Sequence, residues 1–149
     1  MKRIKDILYV GIQFILFIIY ALVPHAISFP FPLWFIYFGL AITLLGLLVI
    51  SLALLQLNKN LSPFPTPKTN SELVNSGLYR WVRHPIYTGI ILLVFGYATY
   101  SQNGYRFLIS FSLLLLFYLK SLYEESLLKK KFSDYRGYMR TTGRFFPFI

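Results

Sequence analysis

The chain has 149 residues, of which 56% are apolar, 19% aromatic and only 13% charged, and its net charge is +10. Soluble domains run at about 45–50% apolar and about 25% charged residues, so this composition excludes an ordinary soluble domain and points to a bilayer. Cysteine is absent, which removes disulfides, thiolate metal sites and cysteine nucleophiles, and two histidines cannot by themselves build a histidine-rich metal centre.

The length suits a single compact domain over residues 1–149. The excess of lysine and arginine flanks apolar runs, so anionic lipid head groups are the expected polyanion and nucleic acid is not an expected partner.

In chain order, a short basic start (Met1-Lys2-Arg3-Ile4-Lys5-Asp6) precedes an apolar run over residues 7–23. That run is longer than a signal-peptide core and ends Tyr20-Ala21-Leu22-Val23-Pro24 without a small-residue cleavage pattern, so it predicts a retained first membrane helix. Residues 24–32 hold three prolines and His25 and predict a crossing loop, with His25 as an interfacial residue. Residues 33–57 carry no charge and are long enough to span with tilt. Within them Gly39 and Gly46 lie seven apart on one face, where another helix can approach.

The polar stretch over residues 58–76 has Pro63, Pro65 and Pro67 at alternating positions, which favours extended chain. A third apolar run covers residues 86–100, with Pro85 suited to the first helical position. Ser101-Gln102-Asn103-Gly104 reads as a tight turn, and residues 106–123 return through the bilayer. Residues 124–144 are basic, with Leu127, Leu128, Phe132, Tyr135 and Met139 at helical spacing, and predict one amphipathic helix along the interface. The apolar end, residues 145–149, is expected to re-enter the head-group region.

The expected fold is therefore all-α and integral to the membrane, with four spans and a cytoplasmic amphipathic helix. Four spans place fourteen of the fifteen lysines and arginines on or beside one side, with Arg106 alone opposite. The positive-inside rule makes that side cytoplasmic and puts both termini there; a bacterial inner membrane is the expected location.

Candidate chemistry gathers in Gly77-Leu78-Tyr79-Arg80-Trp81-Val82-Arg83-His84-Pro85-Ile86-Tyr87-Thr88-Gly89 and in Glu124-Glu125. The first opens the third span and the second closes the fourth, so an antiparallel hairpin brings them together. A pocket between them would hold His84, Arg80 or Arg83, Tyr79, Tyr87 and two carboxylates. The same residues would also serve as interfacial anchors, with Glu125 and Lys129 a surface pair one turn apart, and physics alone leaves both readings open. No Walker loop, Gly-x-Gly-x-x-Gly fingerprint, metalloprotease motif or Gly-x-Ser-x-Gly elbow occurs.

The run over residues 77–89, followed in order by Glu124-Glu125, Phe132, Tyr135, Tyr138, Arg140, Thr142-Gly143 and Pro147-Phe148-Ile149, resembles the isoprenylcysteine carboxyl methyltransferase family. The resemblance covers roughly residues 58–149, which would carry the cofactor-binding part. It implies an integral-membrane methyltransferase using S-adenosylmethionine. It further implies cofactor contacts from His84, Pro85, Ile86 and Tyr87, from Arg83 and Tyr79, from Ser71, Glu72, Leu73 and Val74, and from the acidic pair, Glu125 ahead of Glu124.

The related carboxyl methyltransferases place an arginine one turn before the acidic pair to hold the substrate carboxylate. This chain has Lys120 there, which neutralises a carboxylate without gripping it by two parallel bonds; Arg140 is a candidate to assist, and His84 is the candidate base for an amine acceptor. No metal is expected. The acceptor is expected to be lipophilic or lipidated and to enter from the membrane lipids. Carboxyl transfer leads, and amine methylation of a phospholipid and thiol methylation are the alternatives. A non-enzymatic four-helix membrane subunit, or a nicotinamide-dependent reductase on a related fold, are the rivals from other classes.

Overall fold

The computed structural model describes residues 2–25 and 27–147, with the backbone alone described for Lys2, Arg3 and Lys59. Among the described residues the regular structure is helical apart from two isolated bridges. The helices are α1 (Lys2–Leu22), α2 (Leu33–Leu57), α3 (Pro85–Tyr100), α4 (Gly104–Lys131) and α5 (Tyr135–Thr141), with single tight turns at Asn58–Asn60 and Gly77–Arg80. Three stretches, Ile4–Leu22, Leu33–Leu57 and Gly104–Lys131, are long and apolar enough to cross a membrane, and α3 is a shorter apolar helix of 16 residues. Their outer faces present residues such as Ile15, Leu48 and Leu115 to the surroundings, as lipid contact requires.

The closest packing is between α2 and α3, and glycine makes it possible. A Cβ on Gly46 would lie 2.6 Å from the Gly89 carbonyl oxygen, and one on Gly39 would lie 2.8 Å from that of Gly96. The two glycines of α2 thus face two of α3 at the same seven-residue interval, and the backbones touch where side chains would hold them apart. The interval in α2 was legible in the sequence; its match in α3 emerges only from the pairing.

Helix α3 also packs on α4, and α4 on α1, around a core of Tyr20, Ile91, Val94, Ile109, Leu113, Phe117 and Phe145. The order around the bundle is α1, α4, α3, α2. Among the described residues α1 and α2 share no comparable packing, so the bundle is open between them.

The loop at the far end of the bundle is well tied. Asn103 caps α4 by accepting from the amides of Tyr105 and Arg106, while its own amide donates to the Pro24 carbonyl at 3.2 Å. Arg106 lies over the ring of Tyr97 at 4.9 Å and that of Tyr20 at 5.8 Å. His25 meets a local partner, its Nε2 lying 3.0 Å from the Ser28 hydroxyl.

The expectation of one amphipathic helix over residues 124–144 is corrected. Helix α4 runs on through Glu124 and Glu125 to Lys131, because nothing in Glu-Glu-Ser-Leu-Leu-Lys-Lys-Lys stops a helix; the break comes at 132–134, where Ser133 and Asp134 favour a turn, and only α5 follows. The acidic pair therefore stands inside a helix rather than at its end. Of the apolar end, Phe145 is buried in the core, and Phe148 and Ile149 lie outside the described residues.

Substituting Gly46 with alanine is expected to force α2 from α3 and to cost about 1–3 kcal/mol, the usual range for overpacking. Thermal unfolding in detergent checks this. Gly11→Ala, where an added Cβ meets nothing within 4 Å, should leave the midpoint unchanged or slightly raised.

Candidate functional site

His84, Glu124 and Glu125 come together at the end of the bundle opposite Arg106. Gly77 takes a positive φ of 59°, and the amide of Leu78 donates to Gln56 Oε1 at 2.8 Å, which ties the turn at Gly77–Arg80 to the end of α2. The backbone of 81–84 then runs beside the tail. The Arg83 amide donates to the Gly143 carbonyl at 2.9 Å, the His84 amide to that of Arg144 at 3.1 Å, and the Gly143 amide to that of Trp81 at 3.2 Å. Thr88, one turn into α3, donates its hydroxyl to the Phe145 carbonyl at 2.7 Å. Pro85 opens α3 as expected.

His84 stands between the two carboxylates of α4. Its Nε2 is 3.3 Å from Glu125 Oε1 and its Nδ1 is 3.8 Å from Glu124 Oε2. Tyr87 stacks on the imidazole with ring centroids 5.3 Å apart and planes 5° from parallel, and donates its phenol to Glu124 Oε2 at 2.8 Å. Phe117 stacks on Tyr87 in turn, at 4.8 Å.

The acidic pair divides its work. Glu125 is 1% exposed and is met by Arg83 Nε and Arg144 Nη2, both at 2.8 Å. Arg83 also donates to the carbonyls of Met139 and Thr142. Glu124 is a quarter exposed and faces open space.

Two adjoining cavities share Tyr79, Arg83, His84 and Glu124. The first, of about 110 Å³, lies under the proline-spaced segment and is lined also by Phe64, Pro65, Ser71, Glu72, Leu73, Val74, Tyr135 and Tyr138. The second, of about 320 Å³, lies deeper and is lined by Gln13 of α1, Leu54 and Leu57 of α2, Ile86, Tyr87 and Ile90 of α3, and Lys120 of α4.

The covering segment is held by main-chain acceptors. Lys120 Nζ donates to the Pro63 carbonyl at 3.0 Å and to Gln13 Oε1 at 2.7 Å. Lys131 Nζ donates to the carbonyls of Lys68 and Thr69 and to the Ser71 hydroxyl. Asn60 exchanges two bonds with the backbone of Glu72, each 3.2 Å.

The phenols around the first cavity are neutral donors at physiological pH. Burial, with the Glu124 charge behind it, pushes Tyr79 well above its usual value, and burial with the Glu125 charge does the same to Tyr135. Burial pushes Tyr138 up to about 12 against the pull of Arg83, and its hydroxyl donates to the Tyr79 carbonyl. Burial works to lower the Arg144 guanidinium, but the bond to Glu125 outweighs it and the value rises.

Of the residues singled out in the sequence, the structure gathers Ser71, Glu72, Leu73, Val74, Tyr79, Arg83, His84, Ile86, Tyr87, Lys120 and Glu124 around the two cavities. Pro85 is buried and lines neither. Arg83 takes the place left open between Arg80 and Arg83; Arg80 is exposed beside Asn75 and Asp134. Arg140 is exposed in a shallow basic groove with Lys129, Arg136 and Met139, away from both cavities. Within the acidic pair, Glu124 lines both cavities, while Glu125 is enclosed by arginines, lines neither and is no surface partner of Lys129. Sequence reasoning missed Gln13, Thr88 and Arg144. Gln13 was detectable as the lone amide in an apolar helix, whereas Arg144 looks like any other basic residue of the tail.

The phospholipid methyltransferase family model matches residues 34–135. No curated protein matches the chain. Among solved structures it is similar to the eukaryotic intramembrane Ras methyltransferase ICMT (isoprenylcysteine carboxyl methyltransferase), with 23% identity and a TM-score of 0.71, covering 99% of this chain and 51% of that one. The likeness is one of fold, and this chain spans about half the length of that protein.

Thr88→Val keeps the shape of the side chain but leaves the buried Phe145 carbonyl without its donor. The expected cost is about 1–3 kcal/mol, read as a lower unfolding midpoint in detergent and faster proteolysis of the tail.

Proposed function

Because the chain belongs to the phospholipid methyltransferase family and is a membrane methyltransferase, we propose that it transfers a methyl group from S-adenosylmethionine to the carboxylate of a lipophilic acceptor. The proposed topology has four spans with both termini cytoplasmic, α3 crossing between α2 and α4 with a length of about 24 Å. The observation that carries the reading is a separation of charge. Glu124 faces the junction of the two cavities, and Lys120, one turn earlier on α4, lines the deeper one.

The residues of the first cavity fit the donor. S-adenosylmethionine supplies an electrophilic methyl on a sulfonium cation. The Glu124 carboxylate and the aromatic ring of Tyr79 are the groups that favour such a cation at the junction. Ser71 and Glu72 add a polar edge and Leu73 and Val74 an apolar one from the covering segment, and that cover keeps water from the reacting atoms. Methyl transfer is an in-line displacement, so the protein contributes chiefly position.

The deeper cavity supports the choice of acceptor. Its walls carry leucine and isoleucine from α2 and α3, and the gap between α1 and α2 gives a lipid chain a lateral way in. At its end Lys120 offers a buried ammonium whose named acceptors, Gln13 and the Pro63 carbonyl, are uncharged. A carboxylate is complementary to that charge and is deprotonated at neutral pH, so it needs no base.

The family match favours a second reading, methylation of a phospholipid amine. An amine must first lose a proton, with His84 between Glu124 and Glu125 as the candidate base, and in its ammonium form it would be repelled by Lys120. Thiol methylation has no such feature in its favour.

Calorimetry with S-adenosylhomocysteine on purified protein should give saturable binding, and its absence would sink the methyltransferase reading. After incubation of membranes with methyl-labelled cofactor, a base-labile label in the lipid extract is expected; a base-stable label would refute carboxyl transfer and leave an amine or a thiol as the acceptor. Lys120→Gln should raise the acceptor KM by about tenfold, or about 1.4 kcal/mol, with little change in S-adenosylhomocysteine affinity, while Lys120→Arg should keep most of the activity.

A further inference from the structure

We infer that Glu125 is a positioning residue, which sets His84 and Arg83 at the donor site by binding the carboxyl-terminal segment against the loop that opens α3. The inference rests on the reading of the first cavity as the donor site.

Among the described residues Glu125 lines neither cavity, and its side chain is 2% exposed. Both carboxylate oxygens are engaged. Oε1 receives Arg83 Nε at 2.8 Å and lies 3.3 Å from His84 Nε2, while Oε2 receives Arg144 Nη2 at 2.8 Å. A group so enclosed has no atom left for a cofactor.

Its partners are different. Arg83 and His84 line both cavities. With Nε2 of His84 turned to Glu125, Nδ1 is turned to Glu124, the carboxylate that faces the junction. The orientation of one ring thus links a buried carboxylate to an accessible one.

Arg144 brings the tail into the same arrangement. Its guanidinium lies 5.2 Å from the Tyr118 ring centroid on α4 and bonds Glu125, while its carbonyl accepts from the His84 amide. Arg83 reaches back to the carbonyls of Met139 and Thr142. Three separate stretches of chain therefore meet at one carboxylate. Without its charge two guanidiniums, 8% and 19% exposed, would face each other with nothing between them.

Glu125→Gln preserves size and removes that charge. With the untagged full chain, its S-adenosylhomocysteine Kd should rise by about tenfold or more. The sequence contains two histidines, so ¹⁵N-histidine labelling reports His84 directly with His25 as an internal reference. The ring signals of His84 should shift in the variant and those of His25 should not. Arg144→Lys, which keeps the charge, should stay near the wild type in both measurements, and Arg144→Gln should move both in the direction of Glu125→Gln.

Wild-type affinity in Glu125→Gln, or unmoved His84 signals, would overturn the inference, because a purely structural carboxylate would lower stability alone. If Glu125→Gln does not fold, Arg144→Gln decides by the same two measurements. A wild type that binds no S-adenosylhomocysteine overturns the donor-site reading itself and this inference with it.

Discussion

A carboxylate removed from water must be matched by positive charge, and the pairing of Glu125 with Arg83 and Arg144 is the constraint on which the polar end of this protein depends. The three residues come from α4, from the loop before α3 and from the tail. Once they meet, the backbone of 81–84 and that of 143–144 lie close enough to exchange hydrogen bonds, and Thr88 closes on Phe145. His84 is oriented as a consequence. Glu124, the neighbour in sequence, is then free to face the cavities, and two adjacent glutamates acquire opposite duties.

The rest of the bundle provides a rigid wall and an opening. Helices α2 and α3 meet through glycine, with backbone against backbone, and so form a unit with little freedom to slide. Helices α1 and α2 lack such a seam, and the deeper cavity reaches between them. One helix, α4, serves both cavities through residues at helical spacing. Lys120 and Glu124 line the deeper cavity, Glu124 and Leu128 the first, and Lys131 fastens the covering segment. That fastening uses carbonyl groups as acceptors, so it places few demands on the side chains of the cover.

Much of the architecture was legible from hydropathy and turn chemistry. The apolar runs predicted α2 to the residue, α3 nearly so and the apolar parts of α1 and α4, because lipid exposure demands long apolar segments whatever their neighbours. The hairpin turn followed from Asn103-Gly104. The misjudged part was residues 124–144. Local propensity carries α4 to Lys131, and the change from apolar to charged residues at Glu124 marks a change of surroundings rather than a helix end. Similarly, the choice between Arg80 and Arg83, and that between Glu124 and Glu125, turn on which side of a turn or helix faces inward.

By itself, then, the sequence determined that this is a helical membrane protein whose polar chemistry lies at one end, and that the 77–89 stretch and the acidic pair belong to it. These conclusions rest on local properties: the cost of exposing polar backbone to lipid, the geometry of turns and the clustering of ionisable groups. Only the tertiary structure decided which glutamate is accessible, that Arg144 and Thr88 fasten the tail, that Arg140 stands apart, and that α1 and α2 leave an opening. Each depends on a contact between residues distant in sequence, and no local property of either partner specifies the direction in which it will face once the helices pack.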